Sequence, residues 1–259
     1  MTTRSRDPSR IRAVARRVRS VDDTSDRYAK VLAFGRNKQG KTRFAASGPD
    51  VLIVDTNEHG TTSAAGSGAR VIEAESFADI ADVYWWMASG KHKYKTVAID
   101  GLPGMHRMSM DMVTDEAERR SPDRPSKQAD KRDWGRAGAL MGGMLLAYRN
   151  LPMHVVFTCT ERRIMDDDTG ELKMLTLDLP AGVRGVALGA VDIIGYMEIK
   201  KVKQRRNGKI VRAFTDTMKV GPDEVLPTGD RTNNLGDIII RPTMSKVIAA
   251  YGGNTNEED

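Results

Sequence analysis

Two glycines, a lysine and a threonine stand at a fixed spacing near the start of the chain. Gly35, Gly40, Lys41 and Thr42 satisfy the pattern G-x-x-x-x-G-K-[ST] within the stretch VLAFGRNKQGKTRFA. Glycines let a backbone turn its N–H groups inward around phosphate oxygens, the following helix presents its positive end, and the lysine adds a charge. The pattern therefore predicts a loop that binds the β- and γ-phosphates of a nucleotide.

We predict that the whole loop contacts this nucleotide and that Thr42 also ligates Mg²⁺. The predicted cofactor-binding residues are Gly35, Arg36, Asn37, Lys38, Gln39, Gly40, Lys41, Thr42 and Arg43. A second metal ligand is needed, and the apolar segment KTVAID ends in Asp100. Guanine is disfavoured because no N-K-x-D segment follows a late strand, so ATP and Mg²⁺ are the predicted cofactors. The residue after Asp100 is Gly101 rather than Glu, which argues against the helicase and AAA+ arrangement of adjacent acids.

Apolar runs and amphipathic segments alternate along the chain and must position these residues. The segments AKVLAF, DVLIVDT, YKTVAID and HVVFTCT are predicted strands, and SFADIADVYWWMASG and WGRAGALMGGMLLAYRNL are predicted helices. This alternation predicts an α/β fold with a mainly parallel sheet flanked by helices, whose ligands bind beyond the carboxyl ends of the strands. The pair Asn207-Gly208 predicts an antiparallel hairpin at about residues 191–217. The stretch 101–131 is predicted to be a polar connection.

The charge of the chain divides it into three parts. The formal net charge is +6, and residues 1–20 alone carry seven Arg against one acid, so the remainder is balanced. We predict a basic, flexible arm at 1–28, a domain at 29–245 and a polar C-terminal tail at 246–259. A polyanion is the natural partner of such an arm, and a solubilising leader is the alternative interpretation.

Composition also limits the classes of protein to consider. A single cysteine and four histidines without ligand spacing make a disulfide framework or a structural metal site unexpected. The longest apolar run, 137–148, is too short to cross a bilayer about 30 Å thick, and the Arg-rich start has no apolar segment typical of a secretory signal. We therefore expect a cytoplasmic protein without a membrane partner.

The order of these motifs resembles that of the phage RecA-like single-strand annealing ATPases of the Sak type. The resemblance covers roughly residues 29–245 and includes Trp134 opening a helix, FTCTER, LPAGVRGVALGAVDIIGYMEI and GDRTNNLGDII. It implies a RecA-like P-loop NTPase core that oligomerises as a ring or filament on single-stranded DNA, in a bacterial host cytoplasm. It also implies DNA-stimulated ATP hydrolysis, recombination or strand annealing, and a single-strand-binding protein as a further partner.

The resemblance assigns catalytic roles beyond Lys41. In RecA-like proteins a Glu shortly after the second strand orients the attacking water, which here implies Glu58, with Asp55 as the alternative. A polar residue at the end of the fourth strand touches the γ-phosphate, which implies Thr160. Where the family often has Lys before Asp-Arg this chain has Gly229, which leaves Arg231 as the implied contact to a neighbour's γ-phosphate.

Three basic segments are candidate DNA surfaces. Seven basic residues and no acid lie between Lys200 and Arg212 on the predicted hairpin; a solvated edge protected by lysines is the alternative. By the resemblance, the connection after Asp100 occupies the position of a first DNA loop, and residues 162–184 that of a second. Two other functions stay open, namely a nucleotide kinase with residues 119–136 as its lid, and a nucleotide switch that loads replication or packaging proteins.

Overall fold

The computed structural model describes residues 28–252 except 57–59, 122, 124, 126–127 and 207–208, together with residues 9, 12, 15, 16 and 18. The strands are β1 Lys30–Gly35, β2 Val51–Asp55, β3 Arg70–Glu73, β4 Thr96–Asp100, β5 His154–Met165, β6 Leu172–Leu177, β7 Ile193–Arg206, β8 Lys209–Lys219, β9 Gly229–Asp230 and β10 Ile238–Ile240. The helices are α1 Lys41–Ala45, α2 Phe77–Ala88, α3 Leu102–Arg120, α4 Lys131–Arg149, α5 Ala181–Ala190 and α6 Met244–Tyr251, with a short 3₁₀ helix at Thr61–Ala64.

The strands form one mixed sheet in the order β10-β8-β7-β1-β5-β4-β2-β3. The six strands from β7 to β3 run parallel to their neighbours. The strands β8, β10 and β9 add antiparallel pairs at the β7 side, and β6 pairs antiparallel with the outer half of β5. The predicted α/β fold with a mainly parallel sheet and a late antiparallel hairpin is confirmed.

The sheet is covered on both faces. Every residue of β1, β2 and β4 is buried, which explains their continuous apolar sequences. Alternate residues of β1 enter opposite cores: Leu32 and Phe34 pack with residues of α2, α3, α4 and α5, whereas Val31 and Ala33 pack with α1 and α6. Functional groups of these three strands are therefore confined to the strand ends.

Several segments differ from the sequence-based expectations. The stretch 101–131 is mostly the helix α3, whose apolar positions Leu102, Met105 and Met108 are buried among many charged residues. The strand β3 was missed because it is an edge strand with largely exposed side chains. The predicted tail boundary at 246 falls inside α6, where Val247 and Ile248 are buried.

The two predicted DNA loops are also largely regular structure. Arg119 and Arg120 form the last turn of α3, and α4 begins at Lys131. Arg136, in the segment considered as a kinase lid, lies in α4 and pairs with Glu116 of α3 at 2.8 Å. The segment 162–184 contains the end of β5, the strand β6 and the start of α5. The described parts of both segments are therefore mostly helix and strand rather than the open loops that the resemblance implied.

The predicted arm lies almost entirely outside the described residues. Among the residues that the structure describes, no helix is both long enough and apolar enough to cross a membrane.

Unfolding stability should depend on pH through His154, at the start of β5. Its Nδ1 accepts the backbone N–H of Ala29 at 3.1 Å, and burial, with the charge of Lys30 adding to it, lowers the pKa of His154 from 6.5 to about 4. Between pH 6.5 and pH 4 the unfolded chain binds a proton at His154 and the folded protein does not. The free energy of unfolding is therefore highest above pH 6.5 and decreases as the pH falls toward 4. We expect a loss of about 2 kcal/mol by pH 5. Urea unfolding at pH 7.5 and pH 5 measures it.

His154→Gln is the matched control, because the amide oxygen of Gln can still accept the N–H of Ala29 but does not titrate in this range. The variant should lose less stability on acidification than the wild type does. Equal losses in the two proteins would show that other groups cause the pH dependence.

Candidate active site

The predicted site residues meet at the carboxyl edge of the parallel strands. Asp55 on β2 is the cross-strand partner of Asp100 on β4, and Asp100 is the partner of Thr158 on β5. One strand further, Thr160 is the partner of Gly35 on β1. Parallel pairing aligns these strand ends, so residues that are far apart in the sequence become neighbours.

The phosphate loop connects β1 to α1 by a backbone that requires glycine. Gly40 has φ +83°, and Lys38 also has a positive φ of 64°. A Cβ on Gly35 would lie 2.4 Å from the carbonyl oxygen of Met197 on β7, which no side chain can tolerate. Strand β7 thus packs directly against the start of the loop.

Lys41 is the first residue of α1, and its ammonium group turns back over the loop. Its Nζ donates hydrogen bonds to the carbonyl oxygens of Gly35 at 3.0 Å and Arg36 at 2.8 Å. The charge is therefore held at the mouth of the loop, where the motif predicts phosphate oxygens.

Asp100 is the buried acid of the site. The hydroxyl of Thr42 donates to its Oδ2 at 2.8 Å, and that of Thr158 donates to its Oδ1 at 2.6 Å. Burial raises the pKa of Asp100, the two hydroxyls and Lys41 oppose this rise, and the neighbouring Asp55 reinforces it. The carboxylate is thus close to the hydroxyl that is expected to share a metal ion with it.

Thr158 is a site residue that the sequence reasoning passed over in favour of Thr160. Besides binding Asp100, its hydroxyl oxygen accepts the backbone N–H of Gly101 at 2.9 Å. Thr56 follows β2 on the other side of β4, is buried, and donates to the carbonyl oxygens of Asp100 and Gly101 at 3.0 and 2.6 Å. The only sequence signal was the alternation in FTCT, which places Thr158 and Thr160 on the same side of β5.

A cavity of about 420 Å³ opens between the loop and these strand ends. Its lining residues are Asn37, Lys38, Gly40, Lys41, Thr42, Arg43, Gly60, Ser63, Asp100, Gly101, Thr158, Cys159 and Thr160. A Cβ on Gly60 would lie 3.0 Å from Thr42 Oγ1 and 3.7 Å from Asp100 Oδ2, so any larger residue would enter the space beside these oxygens. Hydroxyl and carboxylate oxygens are ligands that Mg²⁺ prefers, and Mg²⁺ takes its other ligands from water and nucleotide phosphates. The residues present therefore fit Mg²⁺ and a nucleoside triphosphate.

Three side chains in or just after the loop contact protein, and of these residues only Arg43 also lines the cavity. Arg36 Nε binds Glu161 Oε1 at 3.1 Å. Gln39 Oε1 accepts the backbone N–H of Ile199 on β7 at 2.7 Å, and Arg43 pairs with Asp216 on β8 at 2.8 Å. Any contact of Arg36 or Gln39 with nucleotide would thus come from the main chain.

The remaining predicted catalytic residues differ in their position relative to the cavity. Glu58 lies outside the described residues, and its alternative, Asp55, is 1% exposed. Thr160 lines the cavity. Arg231 follows β9 near the amino end of β7, where it pairs with Asp192 at 3.0 Å. It is therefore remote from the phosphate loop of its own chain, and its role toward a neighbour stays a prediction.

The sheet, the glycine-shaped loop and the buried Asp100 together define a P-loop nucleotide-binding ATPase. A family model described as an AAA domain matches residues 27–232, and the chain belongs to this family. The match shows that Gly101 after Asp100 does not remove the chain from the family. No curated protein matches the sequence. Residues that activate water are not assigned by the family match, and the Sak-type resemblance stays a prediction.

Proposed function

We propose that this ATPase binds single-stranded DNA and uses ATP to promote recombination or strand annealing of the phage type. The observation that carries the proposal is the contact between the phosphate loop and the basic hairpin. Gln39 and Arg43 touch Ile199 and Asp216, and the strands that carry these two residues continue into the segment 200–212, which has seven basic residues and no acid.

Charge makes a polyanion the natural ligand of this hairpin. Each phosphate that a lysine or arginine neutralises releases condensed counterions, so binding should weaken as salt rises. The base of the hairpin touches the loop that would hold the triphosphate. DNA bound at the outer half of the hairpin can therefore change the conformation of the loop, and bound nucleotide can change that of the hairpin in return.

In the proposed reaction the protein supplies positioning and charge. Lys41 and the loop amides hold the phosphates, and Thr42 and Asp100 hold Mg²⁺, which neutralises charge on the phosphate oxygens when bound. Glu58 orients the attacking water, and Thr160 contacts the γ-phosphate. Arg231 acts on the site of a neighbouring subunit in a ring or filament, and a single-strand-binding protein is a further proposed partner.

The test is ATP hydrolysis by the purified full chain during a titration with single-stranded DNA. We expect DNA to raise turnover several-fold, and Gln39→Ala to reduce that stimulation because it removes a hydrogen bond worth about 1 kcal/mol between loop and hairpin. Turnover that stays unchanged across the DNA titration would refute the proposal, and transfer of phosphate to a nucleoside monophosphate would favour a kinase instead.

A further inference from the structure

A cluster of aromatic and basic side chains spans the last turn of α2 and the segment that connects α2 to β4, far from the phosphate loop in the fold. We call it the aromatic–lysine surface and define it by Trp85, Trp86, Lys91, His92, Lys93 and Tyr94. The segment enters β4 at its amino end, whereas Asp100 and the phosphate loop lie at the carboxyl ends of the strands. The surface is therefore separate from the nucleotide site.

Its two tryptophans are exposed although each has aromatic neighbours. Trp85 is 67% exposed and Trp86 is 40% exposed. Trp86 is held in place, because its Nε1 donates to the carbonyl oxygen of Lys91 at 3.4 Å and Tyr94 packs edge-on at 5.8 Å between ring centroids. Trp85 packs edge-on with Tyr84 at 5.1 Å. These contacts hold in place large aromatic rings that are not buried in the hydrophobic core.

The lysines give this surface a positive charge, although the exposed Asp82 lies three residues before Trp85 on α2. Lys91 and Lys93 are exposed and alternate with His92 and Tyr94, which are half-buried. Residues 83–99 contain no acid. In the part of the chain that the structure describes, no ion pair involves Lys91 or Lys93, while Lys95 pairs with Asp50 at 3.7 Å.

The arginine-rich N-terminal segment joins the fold at the same edge of the sheet. Ala29 donates to His154, and the backbone N–H of His154 donates to the carbonyl oxygen of Lys95 at 3.1 Å. The strand order places β5 between β1 and β4, so this junction lies two strand spacings, about 10 Å, from the end of the surface. The chain that follows the seven arginines of residues 1–20 thus enters the described part of the fold at this edge, at Tyr28.

We propose that the aromatic–lysine surface is a second binding site for single-stranded DNA, in which bases stack on Trp85 and Trp86 and Lys91 and Lys93 neutralise phosphates. Unpaired bases are required, since a ring face accepts a base only outside a duplex stack. A protein partner fits less well, because lysine is depleted in protein interfaces even where aromatic residues are enriched. The choice of DNA as the single-stranded nucleic acid rests on the proposed function.

The experiment compares variants of the full chain for binding of a labelled oligo(dT) by fluorescence anisotropy. Trp85→Leu keeps an apolar side chain but removes the aromatic face, and it should weaken binding roughly 5- to 100-fold. Trp85→Phe keeps a stacking ring and should bind nearly as well as the wild type. Lys91→Ala with Lys93→Ala should reduce the slope of log affinity against log salt by about 1.4, which is the contribution of two phosphate contacts on a single strand.

The outcomes separate this inference from the proposed function. If the wild type binds oligo(dT) and all these variants bind equally well, the surface is not a DNA site and only this inference falls. If the wild type binds no oligonucleotide, the proposed function falls as well. A change in molecular mass of Trp85→Leu by light scattering, without a change in DNA affinity, would overturn the inference in favour of a contact between copies of the chain.

Discussion

The variant Lys41→Ala is expected to lower the rate of ATP hydrolysis by at least about 100-fold. The Lys41 ammonium lies over the loop, bound to the carbonyl oxygens of Gly35 and Arg36, and a preorganised charge of this kind stabilises the negative charge of transferring phosphate by several kcal/mol. Steady-state ATPase measurement with saturating Mg²⁺ tests this. Nucleotide affinity, measured by titration calorimetry, should fall as well.

Lys246→Ala is the matched control for this variant. The Nζ of Lys246 also donates to two backbone carbonyl oxygens, those of Ile240 and Arg241, at 2.8 and 2.9 Å, but it lies on α6 away from the cavity. The control should retain wild-type hydrolysis. A similar decrease in both variants would mean that the loss reflects general damage to the fold rather than the missing charge at the phosphates.

The phosphate loop could be predicted from sequence because its chemistry is local. Gly35, Gly40, Lys41 and Thr42 lie within eight consecutive positions, and the backbone conformation of the loop selects the residue types. Asp100 could also be predicted from sequence, since a carboxylate that ends an apolar strand lies at the edge of the sheet where ligands bind. In both cases one short segment contains the whole signal.

The parts that sequence reasoning missed depend on contacts between distant segments. Thr158 supports Asp100 only because β5 lies beside β4 in the sheet, and a threonine in a strand is by itself no signal of function. The contact of Gln39 with Ile199 joins residues 160 positions apart. The helix α3 was missed because its buried positions are diluted by charged residues on the exposed face, which gives a weak apolar periodicity.

The basic arm illustrates a different limit. Its charge was evident from composition, but the edge of the sheet at which the chain continues from it follows only from the strand order, which brings Tyr28 and Lys95 to the same edge. Aromatic residues make up only 5% of the chain, an average that by itself predicts little base stacking. A few aromatic residues concentrated beside lysines can nevertheless form a stacking site, which an average over the chain does not reveal.

Asp100→Asn is expected to abolish Mg²⁺-dependent hydrolysis while stabilising the nucleotide-free protein. The amide lacks the negative charge that Mg²⁺ requires, so we expect a fall in turnover of at least about 100-fold. Burial raises the pKa of Asp100, so its stabilising contribution is present below the unfolded pKa and is lost as the pH rises through the folded value. At neutral pH the buried charge therefore opposes folding, and its removal should raise the thermal unfolding midpoint.

Asp168→Asn makes the same chemical change at an exposed position and should alter neither turnover nor the unfolding midpoint. Adding Mg²⁺ and a nonhydrolysable ATP analogue should stabilise the wild type more than Asp100→Asn, because only the wild type has the carboxylate that the ion needs. If both proteins were stabilised equally, Asp100 could not be a metal ligand, and Asp55 on the neighbouring strand would be the acid to test next. The combination of lower activity with higher intrinsic stability distinguishes a functional buried charge from a structural one, whose removal would lower both.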